Sequence, residues 1–398
     1  MINHSIQAVD VIIIGAGAAG LMCAIEAGKR GRRVIVLEQA NKPGKKILMS
    51  GGGRCNFTNY HIQSDKYISH NPHFCKSALS RYTQWDFIEL VKRHRISFNE
   101  KTLGQLFCDE KSQAILNMLL LECEAYGVEI KLNTNIKLIS KQTDQSFLIS
   151  SDEGKLKAQS LVIATGGLSI PTMGSSPFGY EIAKQFGIKV WPTRAGLVPL
   201  TLVEKQKATL SALSGVSVDA LISVEKINFR ENMLFTHRGL SGPAILQISS
   251  YWQQGELINI NMLPTTNLYN ELRLAKQHSA NKQLKSVLTT LLPKSVVEIF
   301  VAETELSKKL ATFSKVALEG IAKVFNKWSL IPNGTEGYRT AEVTLGGVDC
   351  DAVSSKTMEA LKVQGLYFIG EVLDVTGWLG GYNFQWAWSS GFAAGQVV

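Results

Sequence analysis

Three consecutive glycines followed by Arg54, Cys55 and Asn56 stand out in the stretch GKKILMSGGGRCNFTN, residues 44–59. Glycine costs backbone entropy, so three in a row require a reason. Without side chains, the main chain can lie against a flat ligand, and backbone N–H groups or Arg54 can face phosphate or ring acceptors. The stretch therefore predicts a ligand-binding loop rather than an ordinary surface turn.

A second glycine pattern lies near the start of the chain. Gly15, Gly17 and Gly20 match G-x-G-x-x-G between the apolar run VDVIII and the helical pattern LMCAIEAGKRG. The first glycine permits a tight turn, the second lets a diphosphate approach, and the third lets helix pack on strand. The next strand, RVIVLE, ends in Glu38, where an acid accepts hydrogen bonds from an adenosine ribose. This βαβ unit predicts dinucleotide binding at the amino end of the helix.

Two later glycine-rich segments indicate the same ligand. A buried strand at 161–164 ends in Thr165-Gly166-Gly167, and a strand at 366–369 ends in Gly370-Glu371. Gly380-Gly381 then precede a helix, whose amino end is placed to face N1 and the C2 carbonyl of a flavin. The sequence therefore favours FAD over a nicotinamide cofactor, because extended FAD needs a second stretch of chain over its diphosphate and ring.

The predicted FAD contacts come from these segments, from the glycine loop and from Ile136, which is expected to offer main-chain contacts to the adenine. They are Gly15, Ala16, Gly17, Ala18, Ala19, Gly20, Glu38, Gln39, Lys46, Ser50, Gly51, Gly52, Gly53, Arg54, Asn56, Ile136, Ala164, Thr165, Gly166, Gly167, Gly370, Glu371, Asp374, Gly380, Gly381, Tyr382, Asn383 and Phe384.

The candidate catalytic residues are His237, Arg238 and Cys55. His237 lies in FTHRGLSGP, where Pro243 fits the first position of a helix, and imidazole exchanges protons near neutral pH. Pinning of this loop is the alternative role for His237 and Arg238. A free thiol has a pKa of about 8.5 and can donate a proton, although the neighbouring Arg54 is expected to lower the pKa of Cys55. Packing as a buried, unreactive thiol is the alternative role for Cys55.

Together these motifs resemble the BaiN-like (YhiN-type, also called BaiN/RdsA) flavoproteins over nearly the whole chain. The resemblance implies an α/β fold, with a Rossmann-like FAD-binding domain of the two-dinucleotide-binding type interrupted by a β-barrel domain that carries a helical subdomain. The motifs that carry it are GAGAAG, the acid at 38, GGGRCNFTN, ATGG, THRGLSGP and GEVLDVTGWLGGYN.

The periodicity of the sequence is consistent with that plan. Residues 197–264 contain short alternating strands, and residues 268–327 show a 3.6-residue period, including one helical pattern over 306–325. We therefore expect three parts: the FAD-binding domain at 1–192 and 348–398, the β-barrel substrate or lid domain at 193–266 and 328–347, and the helical subdomain at 267–327.

The resemblance also implies a reaction, the reduction of an activated carbon–carbon double bond. The substrates it implies are a steroid enone of bile-acid metabolism or uracil in ribosomal RNA, which gives dihydrouridine. In both, hydride from reduced flavin reaches the carbon β to a carbonyl, an acid protonates the α carbon, and hydrogen bonds hold the enolate oxygen. The sequence has no second complete G-x-G-x-x-G with its own acid, so we expect NAD(P)H to bind only transiently over the flavin as electron donor, or another donor to replace it.

The charge distribution favours the RNA substrate. The net charge is +9, and residues 265–330 hold ten Lys/Arg against five Asp/Glu. A basic subdomain attracts an RNA backbone and gives a free steroid no advantage. A small-enone reductase, an amine-type oxidase and a flavin redox sensor without turnover stay open as alternatives. RNA binding is predicted to weaken when the charge is reversed at five lysines of this subdomain: Lys276, Lys282, Lys285, Lys308 and Lys309.

Cysteine usage and hydropathy predict a cytoplasmic protein. The six cysteines include no C-x-x-C pair, which is typical of reduced thiols. The apolar run at 11–28 is interrupted by glycine and alanine and contains Glu26, so neither export nor membrane insertion is expected. His70 and His73 have no third ligand nearby in the sequence, and no metal is assigned. The oligomeric state stays open.

Overall fold

The computed structural model describes residues 6–398, so the first five residues of the predicted FAD-binding domain lie outside the described residues. The chain forms two compact units. The first unit comprises the residues up to 194 together with 343–398, and the second comprises 195–342. No helix within residues 6–398 is long and apolar enough to cross a membrane.

The amino-terminal part of the chain alternates strands and helices. Its elements are β1 (Gln7–Ile14), α1 (Ala18–Lys29), β2 (Val34–Leu37), α2 (Lys45–Met49), β3 (Asn56–Asn59), β4 (Tyr67–Ile68), α3 (Cys75–Arg81), α4 (Gln84–Arg93), β5 (Phe98–Glu100), β6 (Gln105–Cys108), α5 (Gln113–Ala125), β7 (Glu129–Lys131), β8 (Ile136–Lys141), β9 (Phe147–Ser151), β10 (Gly154–Ile163), α6 (Phe178–Gln185) and β11 (Val190–Gly196).

The middle part contains seven strands and seven helices among the described residues. They are β12 (Leu200–Thr201), α7 (Glu204–Leu210), β13 (Ser217–Val224), β14 (Ile227–Phe235), β15 (Gly239–Ser241), α8 (Pro243–Ser249), β16 (Ile258–Asn261), α9 (Leu268–His278), α10 (Leu284–Leu288), α11 (Lys294–Phe300), α12 (Glu303–Leu306), α13 (Lys315–Asn326), β17 (Trp328–Leu330) and β18 (Gly334–Thr335). The chain then ends with β19 (Val343–Val348), β20 (Leu366–Phe368), β21 (Thr376–Gly377) and α14 (Tyr382–Gly395).

A parallel sheet forms the centre of the first unit. Its strands run in the order β7-β2-β1-β10, and β20 pairs with the carboxyl half of β10. The β8–β9 hairpin extends the sheet antiparallel to the amino half of β10. β1 and β2 are apolar because helices and further chain bury them on both faces. The predicted strand–turn–helix–strand at the start of the chain is therefore confirmed.

The second unit contains an antiparallel sheet of seven strands, in the order β17-β16-β13-β14-β15-β12-β18. Buried and more exposed residues alternate along β13, as expected for a strand with one face in a core. Within the described residues no ladder joins the outer strands β17 and β18, which are linked by residues 331–333.

Helices occupy residues 268–326, but the predicted helical run over 306–325 is broken. α12 ends at Leu306, a short 3-10 turn follows at Leu310–Thr312, and α13 begins at Lys315. Two features explain the break. Leu310 N–H donates to Lys282 O at 2.9 Å, and the Ser314 hydroxyl accepts from Ala317 N–H, which caps α13.

Candidate active site

Four strands of the parallel sheet end at the same level. Ile14 of β1 lies opposite Leu37 of β2 and Ile163 of β10, and Ile163 lies opposite Phe368 of β20. The predicted site residues Gly15, Glu38, Ala164 and Gly370 come directly after these ends or one residue later. Ligands of doubly wound α/β proteins bind at this carboxyl edge. The fold therefore brings four predicted segments together.

The first glycine turn is packed by its own backbone. A Cβ atom on Gly15 would lie 2.5 Å from Ala164 O, and one on Gly20 would lie 2.0 Å from Gly15 O. Beside Gly17, in contrast, a Cβ atom would meet no protein atom within 4 Å. No side chain caps the start of α1, so the first N–H groups of the helix are left for another hydrogen-bond acceptor. This space at the helix N-terminus fits the diphosphate of a dinucleotide.

The carboxylate of Glu38 lies against the same turn. Its Oε2 accepts from Ala16 N–H and its Oε1 from Ala40 N–H, both at 2.8 Å. Each oxygen keeps a lone pair for a further donor, which suits the hydroxyls of a ribose. Thr134 N–H donates to Glu38 O, and Ile136 starts β8 two residues later, next to the position expected for the adenine. Gln39 is exposed.

An ion pair connects the second and third predicted segments. Lys46 Nζ lies 3.0 Å from Glu371 Oε2 and donates to Ser169 Oγ at 2.8 Å. The Glu371 carboxylate also accepts from the N–H groups of Gly167 and Thr344. These contacts fix the ATGG loop beside α2. In that loop the hydroxyl of Thr165 is buried without a hydrogen-bond partner among the described residues.

The second glycine loop adopts a left-handed backbone. Gly51, Gly52 and Gly53 have φ values of +56°, +66° and +85°, and a Cβ atom on Gly52 or Gly53 would meet nothing within 4 Å. Backbone conformation alone therefore explains glycine at three successive positions. Arg54 is exposed, and the Ser50 hydroxyl donates to Ile47 O. Contact between this loop and a flavin stays a prediction.

The strand after this loop reaches the last predicted segment. A Cβ atom on Gly381 would lie 2.3 Å from Thr58 O, so glycine is required where α14 starts beside β3. With its amide oxygen toward Gly381 N–H, Asn56 accepts a hydrogen bond at 3.2 Å. Asn59 Nδ2 donates to Gly380 O at 2.9 Å. The glycine loop and the amino end of α14 are thus held together through β3.

Several predicted cofactor contacts instead have partners within the protein. The Asn383 amide exchanges hydrogen bonds with the backbone of Gly377, and the Tyr382 hydroxyl donates to His61 O. Phe384 stacks on Trp388 with ring centres 5.5 Å apart. Asp374 is buried, which raises the pKa of its carboxyl; its Oδ2 accepts from the backbone N–H of His70 and lies 2.8 Å from Nδ1 of the His70 ring. The side chains of these four residues therefore support the site and do not present free polar groups.

Cys55 lies in an environment different from the one predicted. It is fully buried, and burial raises the pKa of its thiol to about 12. The expectation that Arg54 lowers this pKa was wrong, because desolvation dominates and the Arg54 side chain is exposed. Cys55 is therefore protonated at neutral pH, and its side chain has no access to solvent.

The other two candidate catalytic residues lie in the second unit. His237 and Arg238 form the tip of a tight hairpin between β14 and β15, where Thr236 N–H donates to Gly239 O at 2.9 Å. His237 is exposed, whereas Arg238 lies 3.6 Å from the Glu336 carboxylate. Helix α8 starts at Pro243, as predicted.

Sequence reasoning did not predict the partners of His70 and did not single out Glu342. The His70 ring donates or accepts at 2.8 Å from Asp374 and stacks on Trp191 at 3.7 Å between ring centres. The side chain of Glu342 is exposed, yet enough protein surrounds its carboxyl to raise the pKa to about 7. Neither residue belongs to a recognisable motif. An acid directly before the strand-like VTLGGV was the only signal for Glu342.

The aligned strand ends, the glycine turn and the acid after β2 define a dinucleotide-binding protein of the Rossmann type. Within that class, the chain belongs to the family described as the HI0933-like protein Rossmann domain, which matches residues 9–397.

Similar proteins cover the whole chain. The chain is 54% identical over 396 residues, 97% of each protein, to the ribosomal RNA dihydrouridine synthase of Escherichia coli (strain K12). It is 28% identical to the 3-dehydro-bile acid delta(4,6)-reductase of Clostridium scindens, over 97% of this chain and 98% of that protein. Among solved structures, the crystal structure of 3-ketosteroid-delta4-(5alpha)-dehydrogenase from Rhodococcus jostii RHA1 is similar, with a TM-score of 0.52 and 13% sequence identity. The similarity covers 99% of the present chain and 98% of the dehydrogenase chain. That structure supports the fold alone.

Proposed function

We propose that this protein is an FAD-dependent oxidoreductase that reduces uridine to dihydrouridine in ribosomal RNA, with NAD(P)H as electron donor. The observation that carries the proposal is the 54% identity, over nearly the full length of both chains, to a protein named for that reaction. The dinucleotide site at the carboxyl edge of the sheet is consistent with it. A ribosomal RNA target also places the proposed reaction in the cytoplasm.

The residues at this edge would hold the cofactor. The amino end of α1 and the space beside Gly17 suit the diphosphate, and Glu38 suits the ribose. When bound and reduced by NAD(P)H, the flavin would supply a hydride to the substrate carbon that lies β to a carbonyl and would return to its oxidised form. The ion pair of Lys46 and Glu371 positions the ATGG loop, and the amino end of α14 contributes a partial positive charge.

The carbon α to the carbonyl must also receive a proton. His237 at its exposed hairpin tip is one proposed donor, and Glu342 is a second. Because the protein around the Glu342 carboxyl raises its pKa to about 7, this carboxyl can hold a proton near neutral pH. Arg238 is proposed to stabilise the negative charge that develops on the carbonyl oxygen.

The pH dependence of turnover distinguishes the two donors. If Glu342 gives the proton, the wild-type rate falls as the pH rises through about 7, because the acid form is lost. Glu342→Gln then lowers the rate by about 10²-fold or more below pH 7 and removes the fall in rate as the pH rises. If Glu342→Gln keeps the pH profile of the wild type and His237→Gln turns over more slowly than the wild type, His237 is the proton donor.

The function itself is tested in cells and with purified protein. Deletion of the gene is expected to remove one dihydrouridine from large-subunit ribosomal RNA, as measured by mass spectrometry of nucleosides. Purified protein is expected to be yellow and to restore that dihydrouridine in RNA from the deletion strain when NADH or NADPH is supplied. Unchanged dihydrouridine content in the deletion strain would contradict the RNA substrate.

A small enone is the second candidate substrate. The 28% identity to a bile acid reductase, which spans 97% of this chain, favours it. Both substrates contain a double bond conjugated with a carbonyl, so the same hydride and proton transfers apply. Reoxidation of reduced protein by a cyclic enone but not by ribosomal RNA would select this candidate.

A further inference from the structure

The charges of the helical region 268–327 are arranged in two groups. Four of its lysines form ion pairs: Lys285 with Glu298 and Glu303, Lys294 with Glu298, Lys308 with Glu305, and Lys315 with Glu319. Four cations therefore face four acids, and this group has no net charge. Most of these pairs lie on α10, α11 and α12 or directly beside them.

The other cations of this region have no acidic partner among the described residues. Ten Lys/Arg against five acids give a surplus of five, and removal of the four paired lysines and four paired acids leaves six cations and one acid, Glu271. The surplus of five therefore belongs entirely to the unpaired group. Its cations are Arg273, Lys276, Lys282, Lys309, Lys323 and Lys327. All of these except the half-buried Lys276 are exposed.

These six cations come from segments that contact one another. Leu268 N–H at the start of α9 donates to Asn326 Oδ1 at the end of α13, and Lys276 Nζ donates to Phe313 O just before α13. α9 and α13 thus lie side by side and antiparallel. The chain at 282–284 pairs with the chain at 308–310, next to the 3-10 turn that contacts α9.

We propose that the α9–α13 side of the helical region, carrying Arg273, Lys276, Lys282, Lys309, Lys323 and Lys327, binds the phosphate backbone of the RNA substrate. This proposal rests on the proposed function, because it identifies where the RNA substrate docks. When an unpaired exposed cation contacts a phosphate, it releases a counterion from the RNA, which favours binding. A lysine that already contacts a carboxylate contributes less binding free energy, because it must first give up that contact. The α10–α12 side, with its charges paired, is therefore not the docking surface.

Two variants with the same change in net charge test this. The unpaired variant carries Arg273→Gln, Lys323→Gln and Lys327→Gln on α9 and α13 or directly after α13, and the paired variant carries Lys285→Gln, Lys294→Gln and Lys308→Gln on the α10–α12 side. The binding constant for a deproteinised fragment of large-subunit ribosomal RNA is measured for each across a series of KCl concentrations. Thermal unfolding and reduction of the bound flavin by NAD(P)H, measured alongside, report whether each variant is folded.

The unpaired variant is expected to bind the RNA more weakly, and its slope of log K against log [KCl] is expected to be shallower by about 2.4, from roughly 0.7–0.9 for each of the three lost contacts. The paired variant is expected to keep the slope of the wild type to within about 1. Equal losses in both variants would overturn the proposal, since net charge alone would then explain binding. Wild-type binding that neither variant changes would also overturn it.

Failure of the proposed function has a different signature. In that case wild-type protein neither binds nor reduces the ribosomal RNA fragment, although its flavin is reduced by NAD(P)H and reoxidised by an enone. The docking surface would then be wrong together with the substrate. If the wild type reduces the RNA and the unpaired variant does so with unchanged KM, only the docking surface is wrong.

Discussion

The two glycine-rich segments of the first unit contain glycine for different reasons. In the turn at 15–20, a Cβ atom on Gly20 would lie 2.0 Å from a backbone oxygen, so the protein's own packing excludes any side chain. In the loop at 51–53, all three glycines have left-handed φ values, and a Cβ atom on Gly52 or Gly53 would meet nothing, although one on Gly51 would lie 2.9 Å from Asn56 N. Packing therefore requires glycine at position 20, whereas at positions 52 and 53 only the backbone conformation requires it.

Gly17 differs from both groups. Its φ of −86° is accessible to any residue, and the space beside it is free of protein atoms. Neither packing nor conformation requires glycine there. We propose that a ligand at the amino end of α1 supplies the missing reason, because a side chain at position 17 would project into the space that suits a diphosphate. The fold thus requires Gly20 and Gly52, whereas the requirement for Gly17 is proposed to come from the dinucleotide.

The largest effect is expected at Gly20. Gly20→Val places a branched side chain against Gly15 O, so α1 must move away from β1. We expect a loss of more than about 3 kcal/mol in the free energy of unfolding, measured by urea titration, or recovery only as insoluble protein. A soluble variant with wild-type stability would show that packing does not determine this turn.

A smaller and different effect is expected at Gly17. Gly17→Ala meets no protein atom, so the free energy of unfolding should change by less than about 1 kcal/mol. Flavin affinity, measured by fluorescence titration of the flavin-free protein, should fall about 100-fold because the methyl group displaces a phosphate from the helix N-terminus. Unchanged flavin affinity would place the diphosphate elsewhere.

The first glycine turn was largely predictable from sequence because it is local. The strand, turn and helix that contain Gly15, Gly17 and Gly20 span about twenty residues, and each glycine occupies a position set by that short unit. The acid at 38 follows from the same spacing, and the structure places it against Ala16. The left-handed conformation of Gly52 was not predicted. Glycine is required both by a ligand close to the backbone and by a positive φ, and the sequence alone does not distinguish these two causes.

The features that were missed depend on contacts between distant parts of the chain. His70 meets Asp374 across 304 positions of sequence, and no local pattern connects them. The pKa of Cys55 was predicted from its neighbour Arg54, but burial by the folded chain controls it. The helical pattern over 306–325 has the correct period, yet backbone pairing with the chain near Lys282 interrupts it. Periodicity alone contains no information about such pairing.

The loop at 51–53 is tested by a pair of alanine variants. Gly52 and Gly187 have φ values of +66° and +71°, and a Cβ atom on either would meet nothing within 4 Å. Gly52→Ala and Gly187→Ala should therefore each lose about 1 kcal/mol of unfolding free energy from the left-handed backbone. Gly187 follows α6, away from the carboxyl edge of the sheet, and serves as the matched control.

If the loop contacts the flavin, only Gly52→Ala should also weaken flavin binding, by about tenfold. The measurement is again a fluorescence titration of flavin-free protein, made on both variants. Equal flavin affinity in the two variants would show that the three glycines serve the backbone alone, and the predicted contact between this loop and the flavin would then be wrong.

The smallest effect is expected for the thiol that follows the loop. Burial raises the pKa of both Cys55 and Cys123 to about 12, so neither forms a thiolate between pH 6 and pH 9. Cys55→Ala should therefore leave the pH profile of turnover unchanged in that range, as should the matched variant Cys123→Ala on α5. Each variant loses only about 1 kcal/mol of stability from the small cavity. A pH-dependent loss of turnover confined to Cys55→Ala would contradict this expectation. It would mean that the loop contributes a side chain that takes part in the reaction, in addition to a backbone that binds the cofactor.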